Sequence, residues 1–155
     1  MVATRSAGIL LFRRVDGRTQ VLLGHMGGPL WSRKDAGAWS IPKGEYLPDE
    51  QPQDAARREF TEELGLPVPP GPLLALGDAR QRSGKVVTVW ALEGDLDPAD
   101  VVPGTFSMEW PPRSGRLQRF PEIDRVAWFD LEAGEVALVA GQRPFLQRLA
   151  ALSPG

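Results

Sequence analysis

The chain of 155 residues is 42% hydrophobic and 25% charged, enough for one core and too short for two ordinary domains, so a single domain over residues 1–155 is expected. Eighteen Lys and Arg against twenty Asp and Glu leave a net charge of −2, which argues against nucleic acid as a partner. The absence of Cys excludes disulfides, thiolate metal sites and cysteine nucleophiles, and a single histidine, His25, leaves no multi-histidine site.

Segments 6–12 and 20–24 are short and apolar, and the Asp16-Gly17-Arg18 break between them predicts two strands of a hairpin. Arg13 and Arg14 close the first apolar run long before it could serve as a signal-peptide core or membrane span, so the chain reads as cytoplasmic with no membrane partner. A loop rich in Gly, Pro and charge follows from 26 to 37, with His25 at its start read as an ordinary loop or strand-end residue. A short strand at 39–41 is stopped by Pro42. Residues 51–64 have the spacing of a helix: Pro52 suits the first turn, Ala55, Ala56, Phe60 and Leu64 share a side, and Gly65 suits the left-handed stop.

Beyond the proline-rich break at 67–72, segments 73–81 and 85–92 predict a strand pair around Ser83-Gly84, the second β-branched at Val86, Val87, Thr88 and Val89. Stretches 95–104 and 109–119 carry Asp-Pro, Pro-Gly, Pro-Pro and Ser-Gly pairs and read as loops, and 126–129 reads as the last strand. Helical segments close the chain, one from Leu131 and one after Pro144 with Phe145, Leu146, Leu149 and Leu152 on one side. Together these elements predict an α/β domain, a mixed β-sheet with a helix on each side.

Charge concentrates in one place. Residues 44–66 hold seven acids and two bases, −5 in sum, while the remainder of the chain is +3. On a helix turning about 100° per residue, Glu59 and Glu63 project about 40° apart and Glu62 completes an arc of about 100°. Like charges at this spacing oppose helix formation unless solvent screens them or a cation bridges them. Oxygen donors without His or Cys nearby suit a hard cation, Mg²⁺ before Mn²⁺, and a merely solvated acidic face is the other reading.

The wider pattern is Gly44, then Glu50, then Arg58-Glu59-Phe60-Thr61-Glu62-Glu63-Leu64-Gly65-Leu66. It resembles, without departure, the signature of the Nudix hydrolases, and the flanking strands, the Trp39-Ser40-Ile41-Pro42-Lys43-Gly44 approach and the closing helix are also similar to that family. The resemblance implies a Nudix-type α/β/α sandwich and Mg²⁺-dependent hydrolysis of a diphosphate bond in a nucleotide-like small molecule. It implies that Glu59, Glu62 and Glu63 ligate metal, helped by the main-chain carbonyl of Lys43 or Gly44, and that Arg58 orients a signature carboxylate. Gly44 and Gly65 are backbone residues in this reading, and Glu50 holds the loop on the helix or touches metal through water. The general base lies outside the signature's certainties: Glu62 or Glu63 within it, Glu122 in a distal loop as the favoured outside candidate, and Glu109 behind it.

Substrate contacts are drawn from cations and aromatic planes. Lys43 can pair with a phosphate as a point charge, Arg82 with Arg80 and Lys85 forms a basic hairpin tip, and Trp110 with Arg113 offers a stacking plane and a guanidinium. Phe106 to Gly115 also resembles a segment of predicted nucleoside triphosphate pyrophosphohydrolases within the family. Dinucleoside polyphosphates rank first as substrates, with nucleoside triphosphates and ADP-ribose behind. Removal of RNA caps and a non-catalytic nucleotide-sensing module are the further alternatives. Tyr46 is the only tyrosine, so the tyrosine that many dinucleoside polyphosphate hydrolases carry after the signature has no counterpart here.

Overall fold

The computed structural model describes residues 4–152; the first and last three residues of the expected domain lie outside the described residues. Nine strands and three α-helices follow in order: β1 (Arg5–Val15), β2 (Arg18–Met26), β3 (Trp39–Ser40), β4 (Lys43–Glu45), α1 (Pro52–Leu64), β5 (Leu74–Arg80), β6 (Val86–Glu93), β7 (Thr105–Glu109), β8 (Leu117–Pro121), β9 (Ile123–Asp130), α2 (Leu131–Ala137) and α3 (Pro144–Leu152). Asp16 and Gly17 both have positive φ, 52° and 78°, and turn the β1–β2 hairpin with the twist that tight hairpins require.

The main sheet is mixed. β1 lies parallel to β6 over Arg5–Phe12 and antiparallel to β2 only over Phe12–Val15. Beyond that point β1 and β2 splay apart, and the segment 39–45 fills the fork. β3 pairs with Gly24 and His25 of β2, and β4 pairs with Ser6, Ala7 and Gly8 of β1. β9 covers the other edge of β2, and β5 covers β6. The wedge in the fork delivers Lys43 and Gly44 to the start of α1.

Period-two alternation divides the core into two layers. Ala7, Ile9, Leu11, Leu22, Trp90 and Leu92 face α1 and pack on Ala55, Ala56, Phe60 and Leu64. Leu10, Phe12, Val21, Leu23, Val87, Val89 and Ala91 face the other way, onto Ala137, Leu138, Phe145, Leu146 and Leu149. This is the expected sandwich with helices on both sides of a mixed sheet. Leu152, expected on the buried side of the last helix, is half exposed at its end.

The fold also corrects the reading of 109–119 as loop. β7 and β8 form their own two-stranded sheet, from Thr105↔Pro121 to Glu109↔Leu117, outside the main sheet. Phe106 and Met108 alternate with Thr105, Ser107 and Glu109 in the sequence, a strand signal concealed by the Pro-Pro and Ser-Gly of the hairpin tip. β9 likewise starts three residues before the expected 126.

Gln142 secures the wedge. Its side chain, 1% exposed, accepts a hydrogen bond from the Ile41 N–H at 2.8 Å and donates to Ser40 Oγ at 3.0 Å. Val139 N–H donates to the Trp39 carbonyl at 2.9 Å alongside. Gln142→Leu would leave a buried N–H without a partner and should cost about 1–3 kcal/mol, read as a lower Tm in thermal unfolding.

Candidate active site

Helix α1 forms because its apolar stripe outweighs its charge. Burying Phe60 and Leu64, both at 0% exposure, contributes about 1.5–3 kcal/mol each, whereas like-charge neighbours on a helix cost a few tenths each. Gly65 ends the helix at φ 67°, its N–H donating to the Thr61 carbonyl at 2.8 Å. A Cβ there would stand 2.3 Å from the Val102 carbonyl oxygen, so both conformation and space call for glycine.

Gly44 has a different reason to be glycine. The Glu59 carboxylate lies directly over its Cα, and a Cβ would meet Glu59 Oε2 at 2.0 Å. That contact seats the helix on β4 and explains why Glu59, with a side chain only 12% exposed, is drawn in while Glu62 remains 58% exposed.

Arg58 organises the remaining carboxylates. Its Nε and Nη2 donate to the two oxygens of Glu50, each at 2.9 Å, and its Nη1 donates to Glu59 Oε1 at 2.7 Å and to Glu62 at 3.2 and 3.3 Å. Surface ion pairs of this kind add little to stability. The fork instead fixes geometry: Glu50 is tied to the helix from its loop, and one guanidinium spans three acids. These bonds raise the Arg58 pKa further above its ordinary value and hold the Glu50 carboxyl below its own.

Glu63 is the most perturbed acid. Burial first, then the charges of Glu122 and Glu59, push its carboxyl up to about 8, with Lys43 opposing. Glu59 is also raised, by burial, against the pull of Arg58. Burial lowers the Lys43 ammonium, which Glu63, Glu45 and Glu59 partly restore. Four acids from two elements, Glu59, Glu62 and Glu63 of α1 and Glu122 from the β8–β9 junction, therefore share one electrostatic site with Lys43. Such a crowd of oxygens, with Glu59 and Glu63 desolvated by burial, suits a divalent cation, which would offset both burial and repulsion. Among the described residues no three acids or histidines already close on a common point. Glu59 and Glu62 are both engaged with Arg58 in the structure.

The other expected site residues divide. Glu122 reaches the site across a gap in sequence, and Glu109, in β7, is not among the charges that shift Glu59 or Glu63. Arg82 is exposed in the β5–β6 turn; of that hairpin's cations Lys85 is the one whose charge reaches Lys43, and it donates to Glu45 at 2.8 Å. Trp110 and Arg113 sit at the tip of the β7–β8 hairpin, whose last strand runs directly into Glu122. Arg58 and Glu50 also line a cleft of about 850 Å³ with Arg5, Tyr46 and Leu47. Glu45 and Gln142 were not marked by any spacing pattern: Glu45 acts through a strand pairing and Gln142 through a contact 101 residues distant.

The raised Glu63 pKa has a consequence for stability. An acid that titrates near 4.5 in the unfolded chain and near 8 in the folded one binds more protons when folded, so its contribution is most favourable below pH 4.5 and declines as pH rises towards 8. In chelator, Glu63→Gln should therefore match the wild type near pH 4.5 and exceed it increasingly up to pH 8. A gain in Tm of at least about 2 °C at the upper end is expected by calorimetry.

Comparison with known proteins agrees with this architecture. The sequence model of the NUDIX domain matches residues 3–149. RNA pyrophosphohydrolases of Pseudomonas putida and Pseudomonas savastanoi are 45% and 43% identical over 47 residues, a match that covers 30% of this chain and 30% of theirs. Among solved structures, the Caenorhabditis elegans Ap4A hydrolase binary complex superposes with a TM-score of 0.65 at 22% identity, covering 95% of this chain and 96% of that one. The NUDIX domain of Shewanella oneidensis NrtR complexed with ADP ribose gives 0.63 at 16% identity, with 98% and 89% covered. With the signature helix, the sandwich and the family match over nearly all its length, the chain belongs to the NUDIX domain family, that of the Nudix hydrolases.

Proposed function

We propose that the protein is a Mg²⁺-dependent pyrophosphohydrolase that cleaves a phosphoanhydride bond in a nucleoside or dinucleoside polyphosphate. The observation that carries this reading is the crowding of Glu59, Glu62 and Glu122 around half-buried Glu63, itself beside half-buried Lys43, an arrangement that is costly for a scaffold and suited to phosphate chemistry beside a cation. Glu59 and Glu63, with Glu62 and the Lys43 main-chain carbonyl, would hold the ion. Bound there, Mg²⁺ or Mn²⁺ supplies neutralisation of phosphate oxygens and acidifies a water. Glu122 accepts the proton of the attacking water, Lys43 Nζ pairs with a phosphate oxygen, and Arg58 keeps Glu59 and Glu62 oriented. Trp110 and Arg113 at the hairpin tip contact the nucleoside side of the substrate, and Arg82 adds a weaker positive edge.

Dinucleoside polyphosphates rank first because the Pro42-Lys43-Gly44 approach is similar to that of enzymes acting on them, and the Ap4A hydrolase named above shares the fold over nearly the whole of both chains. A 5′ polyphosphate end of RNA is the second reading, favoured by the 47-residue match to RNA pyrophosphohydrolases and by Arg113, Arg116 and Arg119 on the exposed hairpin. Product analysis on a panel of dinucleoside polyphosphates, nucleoside triphosphates, ADP-ribose and 5′-triphosphorylated RNA, with Mg²⁺ or Mn²⁺, separates these. Glu63→Gln should lower kcat by roughly two orders of magnitude or more while the fold is retained, in line with several kcal/mol of lost transition-state stabilisation. Loss of the folded state in that variant would make Glu63 a scaffold residue. A wild type that turns nothing over, yet binds nucleotide equally well in chelator, would overturn the enzymatic reading.

A further inference from the structure

We infer that His25 is a positioning residue for Glu122, acting through a bulge in β9 at Asp124; the inference rests on the reading of Glu122 as the proton acceptor. β2 and β9 pair regularly from Gln20↔Asp130 to His25↔Arg125, and then the register shifts so that Met26 meets Ile123, leaving Asp124 as the extra residue. The shift inverts the alternation of side chains. Val126 and Trp128 lie on the α1 face; an unbroken strand would send Ile123 to the opposite face, yet Ile123 packs in the α1 layer with them. The bulge therefore decides how the chain presents the residues just before it, and Glu122 is one of those.

His25 holds the bulge from inside. Its ring is completely buried, with Nδ1 2.9 Å from Asp124 Oδ1 and Nε2 2.6 Å from the Lys34 carbonyl. Each ring nitrogen is thus within hydrogen-bond distance of one oxygen, a carboxylate on one side and a main-chain carbonyl on the other. Trp39 stands edge-on to the ring at 5.2 Å, and its Nε1 donates to Asp35 at 2.9 Å, while the Arg125 guanidinium lies 5.3 Å from the Trp39 ring. The imidazole thus joins three separate pieces of chain: β2, the bulge of β9, and the loop 27–38.

The peptide of Glu122 is clamped by the same neighbourhood. Its N–H donates to the Gly104 carbonyl at 2.8 Å, and its carbonyl accepts from the Gly27 N–H at 3.0 Å. A Cβ on Gly27 would lie 1.9 Å from the Pro121 carbonyl oxygen, so segments 25–27 and 121–124 are in direct backbone contact. Glu122 is itself exposed, and these backbone bonds fix where it stands. A proton acceptor displaced by about 1 Å loses much of its rate advantage.

The test uses the full chain with Mg²⁺ and the dinucleoside polyphosphate Ap4A. Asp124→Ala should lower kcat by about tenfold or more with KM nearly unchanged, because the bulge latch is lost and no substrate contact is removed. Asp124→Asn, which keeps the Oδ1 acceptor, should recover most of the rate. In a Glu122→Gln background, Asp124→Ala should add no further loss, since both changes act at one point. His25→Gln, which reaches only one of the two ring partners, should reproduce the kcat loss in a folded protein, as checked by circular dichroism. Wild-type kcat in Asp124→Ala alongside an impaired Glu122→Gln, or losses that multiply in the double variant, would overturn the positioning role. Wild-type kcat in Glu122→Gln itself would instead overturn Glu122 as the proton acceptor, and the His25 inference with it.

Discussion

The contact of the Glu59 carboxylate with the bare Cα of Gly44 is the constraint around which the site is built. It brings the acidic side of α1 down onto β4, and it is possible only because position 44 lacks a side chain. Everything else at the site adapts to it. Glu59 is desolvated, Glu63 is half-buried within reach of the charges of Lys43 and Glu122, and Glu62 is left at the exposed margin, where it pairs with Arg58.

The energetics explain why such a site persists in a folded protein. The acidic cluster opposes folding, but α1 buries Ala55, Ala56, Phe60 and Leu64 against a sheet whose strands are apolar on both faces. Apolar burial is worth more per residue than the repulsion costs. The Arg58 fork adds direction: it aligns carboxylates from a loop and from successive turns of one helix without requiring them to be deeply buried. The strained electrostatics are thereby concentrated on Glu63, the acid on which the opposing charges of Glu122 and Lys43 both act.

The site also depends on structure remote from it. Gly8 allows the Pro42 carbonyl and Lys43 to approach β1, where a Cβ would come within 2.5 Å of the Pro42 oxygen. Gln142 fastens Ile41 from the opposite layer, and the bulge at Asp124 directs the chain through Glu122. The wedge in the β1–β2 fork carries Lys43, and the junction between β8 and β9 carries Glu122. Both are held by buried polar side chains, each with its hydrogen bonds made.

Residues 44–66 could be read directly because helical periodicity is local: Glu59, Glu62 and Glu63 share a side of any α-helix formed by that segment, and Pro52 and Gly65 mark its ends. The alternating strands and the two-layer sandwich followed for the same reason. The β7–β8 hairpin was obscured by the prolines and glycine at its tip, which outweighed a weak period-two signal in its arms. Tertiary structure alone decided that the charge of Glu122 acts on Glu63, that the charge of Lys85 rather than Arg82 acts on Lys43, and that His25 is a wholly buried link to Asp124, 99 residues away. The physical reason is that side-chain periodicity acts over a few residues, whereas strand register, bulges and forks in a sheet are set by packing between segments that no local pattern connects.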